Sequence, residues 1–488
     1  MTAPHPVGGP LDATRHTLLS RAGSASFPAW LAQVKRTGGC AHPIRLTGES
    51  TTVDNESGAT LHRFSTYEQP TGSLLVACGN RRATRCPSCS ETYRADTFQL
   101  IRAGLTGGKS VPESVRSHSR AFVTLTAPSF GAVHNRAKTP AGKLLACRCG
   151  KHHPDDDPAL GTPLNPGTYD YVSAVLWNAH SGKLWARFTT LVRRRLAALG
   201  GLTQRELPHV VRVSFAKVAE YQRRGSIHFH AVIRLDGPLS GQDPAVVTEP
   251  PSWATADVLA EAVRDAACGT RLRSSFEAVG PREYRWGEQL DIRPISELGS
   301  GELTDRAVAG YVAKYATKGA EVAGTVDRSL CCRRCSGVGS LLRGAPPCHS
   351  CDGSGLARPI ETLDIDPHAR RMIRACWDLG GLVDLAGLNL RKWAHMLGFA
   401  GHFSTKSRRY STTLGALRSV RTDWRAEQVR ALHGLPNPCD GSTLVVGHWA
   451  FAGSGHTPGE ALLAAGVRRD LDLNRRTAKE ELAAERAA

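Results

Sequence analysis

Six of the chain's fourteen cysteines form three CxxC pairs: Cys86/Cys89, Cys332/Cys335 and Cys348/Cys351. A CxxC turn offers two thiolates as adjacent corners of a tetrahedron, and a structural zinc ion takes two such corners from each of two places. Cys332 and Cys348 each open a CxxCxGxG repeat, continued by Gly337 and Gly339 in one copy and Gly353 and Gly355 in the other. The pattern predicts one Zn²⁺ on Cys332, Cys335, Cys348 and Cys351, within a small zinc module over residues 326–357. A second Zn²⁺ is expected on Cys40, Cys78, Cys86 and Cys89 in an N-terminal region over 1–110, with His42 as the alternative to Cys40. Cys147, Cys149, His152 and His153 (loop 147–153) form a third candidate, against the reading of a surface loop with two free thiols. Metal binding doubles as folding free energy for segments this poor in core. Disulfides are the weaker reading, because a reducing compartment keeps thiols free.

Charge narrows the partners. With 62 Lys+Arg against 44 Asp+Glu, the 488-residue chain carries a formal net charge of +18. Such a balance favours an anionic polymer, with nucleic acid ahead of a membrane surface. The length fits about three domains. No apolar run approaches the ~18 residues of a membrane span, so no membrane partner is expected. The opening MTAPHPVGGPLDATRHTLLS lacks the basic and apolar regions of a secretory signal, and a cytoplasmic location is expected. Gly107-Gly108-Lys109-Ser110 resembles the end of a phosphate-binding loop, but Ala103 stands where that motif needs glycine, so no ATPase motor is expected.

Patterning predicts strands at 120–127 and 288–295, two more over 208–235 joined at Gln222-Arg223-Arg224-Gly225, and helices at 168–201, about 253–268 and about 303–318. Arg193-Arg194-Arg195 ends the first helix as a solvated basic patch or a phosphate contact, and Gly200-Gly201 stops it. An acidic, proline-bearing loop occupies 154–168. Short antiparallel connections make the class α+β, a central antiparallel sheet flanked by helices, not a doubly wound fold. Residues 358–455 read as a mostly helical DNA-binding region with a basic segment at Lys406, Arg408 and Arg409. Residues 456–488 read as a polar, helical and partly disordered tail.

The sharpest chemistry lies in Ile227-His228-Phe229-His230-Ala231-Val232-Ile233. Alternate strand residues share a face, so the apolar set is buried while His228 and His230 point together to the other side. Two adjacent imidazoles suit a divalent metal. In Tyr311-Val-Ala-Lys314-Tyr315-Ala-Thr-Lys318, predicted helical, the two phenols at i, i+4 share one face with Lys318 a turn further on.

Together FVTLTAP (122–128), HFH (228–230) and YVAKYATK (311–318) resemble the three motifs of the HUH endonuclease superfamily, in that family's order. The last is closest to the two-tyrosine form of the small isometric coliphage initiators. The cysteine pattern, EYQRRGSIHFHAVIR and GHFSTKSRRYSTTLG are similar, more specifically, to actinobacterial rolling-circle plasmid initiators, over most of the chain. The CxxCxGxG repeat resembles the zinc module of DnaJ-type chaperones, with two copies instead of four. The HUH resemblance implies a nuclease core over 115–325 that nicks and rejoins DNA with Mg²⁺ or Mn²⁺ on His228 and His230. Tyr311 and Tyr315 would be the nucleophiles, leaving a 5′-phosphotyrosine and a free 3′-OH. Lys314 and Lys318 would steady the phenolate or phosphate charge, against the plainer reading of surface lysines. Implied partners are plasmid origin DNA, single-stranded or supercoiled, with a host helicase and DNA polymerase. Arg223, Arg224, Lys406, Arg408 and Arg409 are the expected DNA contacts, and Arg81-Arg82 and Arg333-Arg334 add basic loops at the zinc sites.

Related HUH initiators also take a carboxylate from the strand before the histidines, which assigns Glu220 as third metal ligand. Opposed residues of an antiparallel hairpin point to one face. Glu220 faces His228 only if the turn centres on Arg224 with an odd number of loop residues, such as Arg223-Arg224-Gly225 with Gly225 in the αL conformation. The alternative is a surface Glu220 paired with Arg223 or Arg224. Other readings are an HUH transposase or relaxase, and a non-catalytic zinc-binding DNA regulator.

Overall fold

The computed structural model describes residues 10–238, 246–295, 304–340, 346–435 and 442–485. The chain forms two compact units, one from Met1–Asp96 with Leu414–Ala488 and one from Thr97–Thr413. The first begins with α1 (Pro10–Ala22) and α2 (Phe27–Arg36), then β1 (Ile44–Asp54), β2 (Thr60–Ser65) and β3 (Leu74–Val76). The division falls within α3 (Pro87–Thr106), 14 residues before the expected boundary at 110.

The second unit holds the motifs of the 115–325 region. Its elements are β4 (Arg120–Leu125), α4 (Tyr171–Leu199), β5 (Arg212–Tyr221), β6 (Ile227–Asp236), α5 (Ala256–Gly269), β7 (Leu272–Phe276), β8 (Gly280–Tyr284), β9 (Leu290–Pro294), α6 (Asp305–Ala316), α7 (Pro367–Leu379) and β10 (Ser404–Lys406). A five-stranded sheet runs β10-β5-β6-β4-β9 with every pairing antiparallel. On one face Val123, Leu125, Ile227, Phe229 and Ile233 pack against Trp177, Leu184 and Phe188 of α4 and Leu259 and Val263 of α5. This is the alternation of IHFHAVI made physical, and burying Phe229 fully is worth about 1.5–3 kcal/mol. α4 starts at Tyr171 and not at 168, because the Asp170 carboxylate caps it by accepting the Ser173 N–H at 2.8 Å. Thr304 caps α6 in the same way; residue 303 of the predicted helix lies outside the described residues. The β7–β8 hairpin was not anticipated.

The expected helical region 358–455 divides differently. Up to Thr413 it belongs to the second unit, as α7, short 3₁₀ turns and the edge strand β10. The remainder, α8 (Leu414–His433) and β11 (Thr443–Ser454), belongs to the first unit, where β11 pairs with β1 along its whole length. The first unit's sheet therefore runs β11-β1-β2, with β3 on β1. Residues 458–485 are helical, as the sequence leads one to expect. They form α9 (Pro458–Glu485), whose Ala464 and Val467 pack on Trp30 and Val34, with Glu460 paired to Arg21 at 2.7 Å. No helix among the described residues is long and apolar enough to cross a membrane.

Candidate active site and metal centres

The β5–β6 turn sets the site. Gln222 accepts the Gly225 N–H through its carbonyl and donates its own N–H to Ser226, both at 2.9 Å, so the loop is Arg223-Arg224-Gly225. Gly225 sits at φ +78°, a conformation that glycine adopts without steric cost. This odd loop opposes Glu220 to His228 and Tyr221 to Ile227, placing Glu220, His228 and His230 on one face. The Glu220 Oε2 lies 3.0 Å from His228 Nε2 and 2.9 Å from His230 Nε2. Burial opposes its ionisation, but the hydrogen bonds from the two imidazoles win and hold the carboxyl at about 2. For both rings to donate to one carboxylate each carries its proton on Nε2; a divalent metal would need the other tautomer, with the proton on Nδ1 and the Nε2 lone pair free. Burial pushes His230 below the ordinary histidine range, which keeps it neutral and fit to ligate.

A further strand and a helix frame His230. Thr124 of β4, directly opposite, brings its Oγ1 to 3.0 Å from His230 Nδ1, and the Phe122 ring stacks on the imidazole at 5.8 Å. From α6, Tyr311 Oη reaches 3.2 Å from His230 Nε2 and its ring meets Phe122 edge-on. Tyr315 lies beside Tyr311 with ring centroids 4.6 Å apart, and Lys318 Nζ stands 4.3 Å over the Tyr315 ring, Lys314 Nζ 5.7 Å. Val308, Val312 and Ala316 are buried on the other side of α6, so the i, i+4 phenols are held over the histidines. Partial burial, then the Glu220 charge, raise the Tyr311 phenol well above its usual range, and the Tyr315 phenol less so.

The expected DNA contacts divide. Arg224 is turned inward, its guanidinium donating to the Ala127 and Pro128 carbonyls, both at 2.7 Å. Lys406 Nζ donates to the Arg408 and Ser411 carbonyls and ties its own loop. Both side chains are half-buried and spend their donors on loop carbonyls. Arg223 is exposed and donates to the Asp157 carbonyl at 2.6 Å. Arg408 is exposed and Arg409 half-buried; with Arg193 and Arg212 they line a 260 Å³ pocket.

Among the described residues three further groups could hold metals: Cys40, Cys78, Cys86 and Cys89; Cys332, Cys335, Cys348 and Cys351; and His134, Cys147, Cys149 and His153. In the first, Cys40 lies 3.7 Å from both Cys86 and Cys89, sulfur to sulfur, and Cys78 lies 3.7 Å from Cys89. Cys335 and Cys351 repeat the value. A tetrahedron with bonds of about 2.3 Å has edges of about 3.75 Å, whereas a disulfide needs about 2.05 Å. Cys40, and not His42, completes the first set. The CxGxG glycines all sit at positive φ, from +75° to +91°, which favours glycine, and the Gly339 and Gly355 N–H groups donate to Cys335 and Cys351 at 3.3 Å. In the third group His134 takes the place expected for His152, which is exposed outside it. The bridge Val133↔Pro163 carries His134 to the cluster, and no spacing rule reports that.

The family model described as RepSA, replication initiator protein, pSAM2, matches residues 26–469. A replication initiator protein of Streptomyces ambofaciens is 49% identical over 469 residues, covering 95% of this chain and 94% of that protein. No solved structure matches the chain.

Proposed function

Since the chain belongs to the RepSA family of plasmid replication initiators, we propose that it starts rolling-circle replication by nicking one strand of plasmid origin DNA with Tyr311, in an HUH-type site. The observation that carries this reading is the contact of Tyr311 Oη with His230 Nε2 at 3.2 Å, beside Glu220 and His228. One carboxylate and two neutral imidazoles suit Mg²⁺ or Mn²⁺, with the rest of the coordination shell left to water and phosphate. Bound there, such an ion supplies a Lewis acid for the scissile phosphate.

The chain's own residues do the rest. Tyr311 attacks phosphorus in line, forming the Tyr–O–P bond as the P–O3′ bond breaks; the phenol proton leaves to solvent and the departing 3′ oxygen gains one. Lys318 and Lys314 offset the charge that builds on the phenolate and phosphate. The ester bond is conserved in the 5′-phosphotyrosine, so the strand is rejoined without ATP. Tyr315, a turn along α6 from Tyr311 and with its ring 5.7 Å from that of His230 against 4.9 Å for Tyr311, takes the second cleavage after a round of synthesis by host helicase and polymerase. The two four-cysteine groups hold structural Zn²⁺, and the exposed Arg333 and Arg334 of the CxxCxGxG module face DNA phosphate.

Purified protein with Mg²⁺ or Mn²⁺ should relax supercoiled origin plasmid and leave protein on the 5′ end. Tyr311→Phe together with Tyr315→Phe should abolish that adduct while DNA binding persists. An adduct surviving in the double variant overturns the tyrosine mechanism, and bound but uncut plasmid favours the regulator reading.

A further inference from the structure

Between β4 and α4 the chain runs through residues 126–170 without a helix or strand of its own, held by the isolated bridges Val133↔Pro163 and Lys138↔Leu144. Irregular loops longer than about 15 residues are uncommon in compact domains and need another source of order. Few apolar side chains here reach the core: Ala127 and Tyr169, near its ends, are buried in it, and Phe130 and Val133 pack against it only in part. What converges instead is His134, Cys147, Cys149 and His153. His134 Nδ1 lies 3.3 Å from His153 Nε2, Cys149 Sγ 3.2 Å from the same Nε2, and Cys147 Sγ 3.9 Å from His134 Nδ1. A zinc tetrahedron with bonds of about 2.05 Å to nitrogen and 2.3 Å to sulfur has edges of about 3.3 Å (N–N) and 3.5 Å (N–S). Two thiolates and two neutral imidazoles also cancel the charge of Zn²⁺. The outer nitrogen of buried His153, Nδ1, meets Asp157 Oδ2 at 2.7 Å, the carboxylate pairing that fixes a ligating imidazole.

We propose that residues 131–164 fold around a third zinc ion, held by His134, Cys147, Cys149 and His153, and that this zinc loop clamps the β5–β6 turn that carries Glu220 and His228. The clamp is visible at Asp157, which orients His153 through its carboxylate and accepts Arg223 Nη1 at 2.6 Å through its carbonyl. Gly161 backs Arg223 so closely that a Cβ there would stand 2.7 Å from Arg223 Cβ. On the other side of the turn Arg224 grips Ala127 and Pro128, where the loop begins. Arg223 is three residues from Glu220 and five from His228, so motion of the turn moves both. The ion stands without the nicking reading; the clamp rests on it.

Zinc counting on the full chain tests the ion independently of activity. Wild type should hold three zinc ions per chain, His134→Ala two and His152→Ala three, while His134→Cys, with a thiolate in place of the imidazole, should keep three. Three ions in His134→Ala, or two in His152→Ala, overturns the ligand set. Should His134→Ala not fold, Asp157→Asn keeps all four ligands and should lose one ion to a chelator roughly tenfold faster than wild type; unchanged release overturns the proposal. For the clamp, His134→Ala should need roughly tenfold more Mn²⁺ for half-maximal origin nicking, restored by His134→Cys. Two ions with an unchanged Mn²⁺ requirement overturns the clamp and leaves the ion. Wild type that holds three ions but never nicks overturns the nuclease reading instead.

Discussion

Replacing Thr124 with valine removes one hydroxyl and almost no volume, and should weaken the proposed catalytic metal site without touching the residues proposed to ligate the ion. Thr124 Oγ1 is 3.0 Å from His230 Nδ1, on the ring nitrogen that faces away from Glu220 and Tyr311. When His230 donates its Nδ1 proton to Thr124, its Nε2 presents a lone pair to the metal. Thr124→Val leaves a buried nitrogen without that partner, and His230 is only 3% exposed. An orphaned buried polar group costs about 1–3 kcal/mol, and each 1.4 kcal/mol is a factor of ten, which agrees with the 10- to 100-fold losses typical of outer partners of metal-ligating histidines. The assay is nicking of a labelled single-stranded origin oligonucleotide as a function of Mn²⁺. Half-maximal Mn²⁺ should rise by about tenfold or more, with the rate at saturating metal changed little, and Thr124→Ser should behave as wild type. An unchanged Mn²⁺ requirement in Thr124→Val, or the same loss in Thr124→Ser, would refute the reasoning.

Burial holds the His230 imidazole below the ordinary histidine range, so protons compete with metal only under acid conditions: the Mn²⁺ requirement should be flat from pH 8 to 7 and rise in acid, and a tenfold change between pH 8 and 7 would contradict it. Gly339→Ala should strip zinc from the CxxCxGxG module, since the residue sits at φ +91° and a Cβ would meet the Gly353 carbonyl oxygen at 2.2 Å; zinc analysis should show one ion fewer. Arg408→Ala should weaken DNA binding uniformly across sequences and lower the salt slope by about one. Arg224→Ala should instead lower thermal stability, by about 1–3 kcal/mol for the orphaned carbonyls of Ala127 and Pro128, with an unchanged salt slope.

The hairpin of the candidate site was legible in part: strand alternation put His228 and His230 on one face, whereas Glu220 was suggested by the family resemblance and its place opposite His228 depended on an odd loop that counting left open until the register was seen. Tyr311 and Tyr315 were legible through helical spacing, and the four-cysteine groups through CxxC. Thr124 was not, since its partner lies 106 residues away and only the β4–β6 register brings them together. His134 escaped for the same reason, while His152, next to His153, was favoured by adjacency although its backbone points it to solvent. The β1–β11 pairing joins the two ends of the chain, and β1, rich in Thr and Ser, carries no apolar face to announce a strand. The basic residues show the limit of charge as a guide: sequence gives the sign of Arg224 and Lys406 but not that local carbonyls draw both inward.

The claim that Tyr311 is the nucleophile is tested most directly by where the DNA is attached. Wild-type protein trapped on a nicked origin oligonucleotide, digested with trypsin and nuclease, should yield a nucleotide-modified peptide in mass spectrometry with the modification on Tyr311. Modification of Tyr315 alone, or of a residue outside α6, would contradict the account.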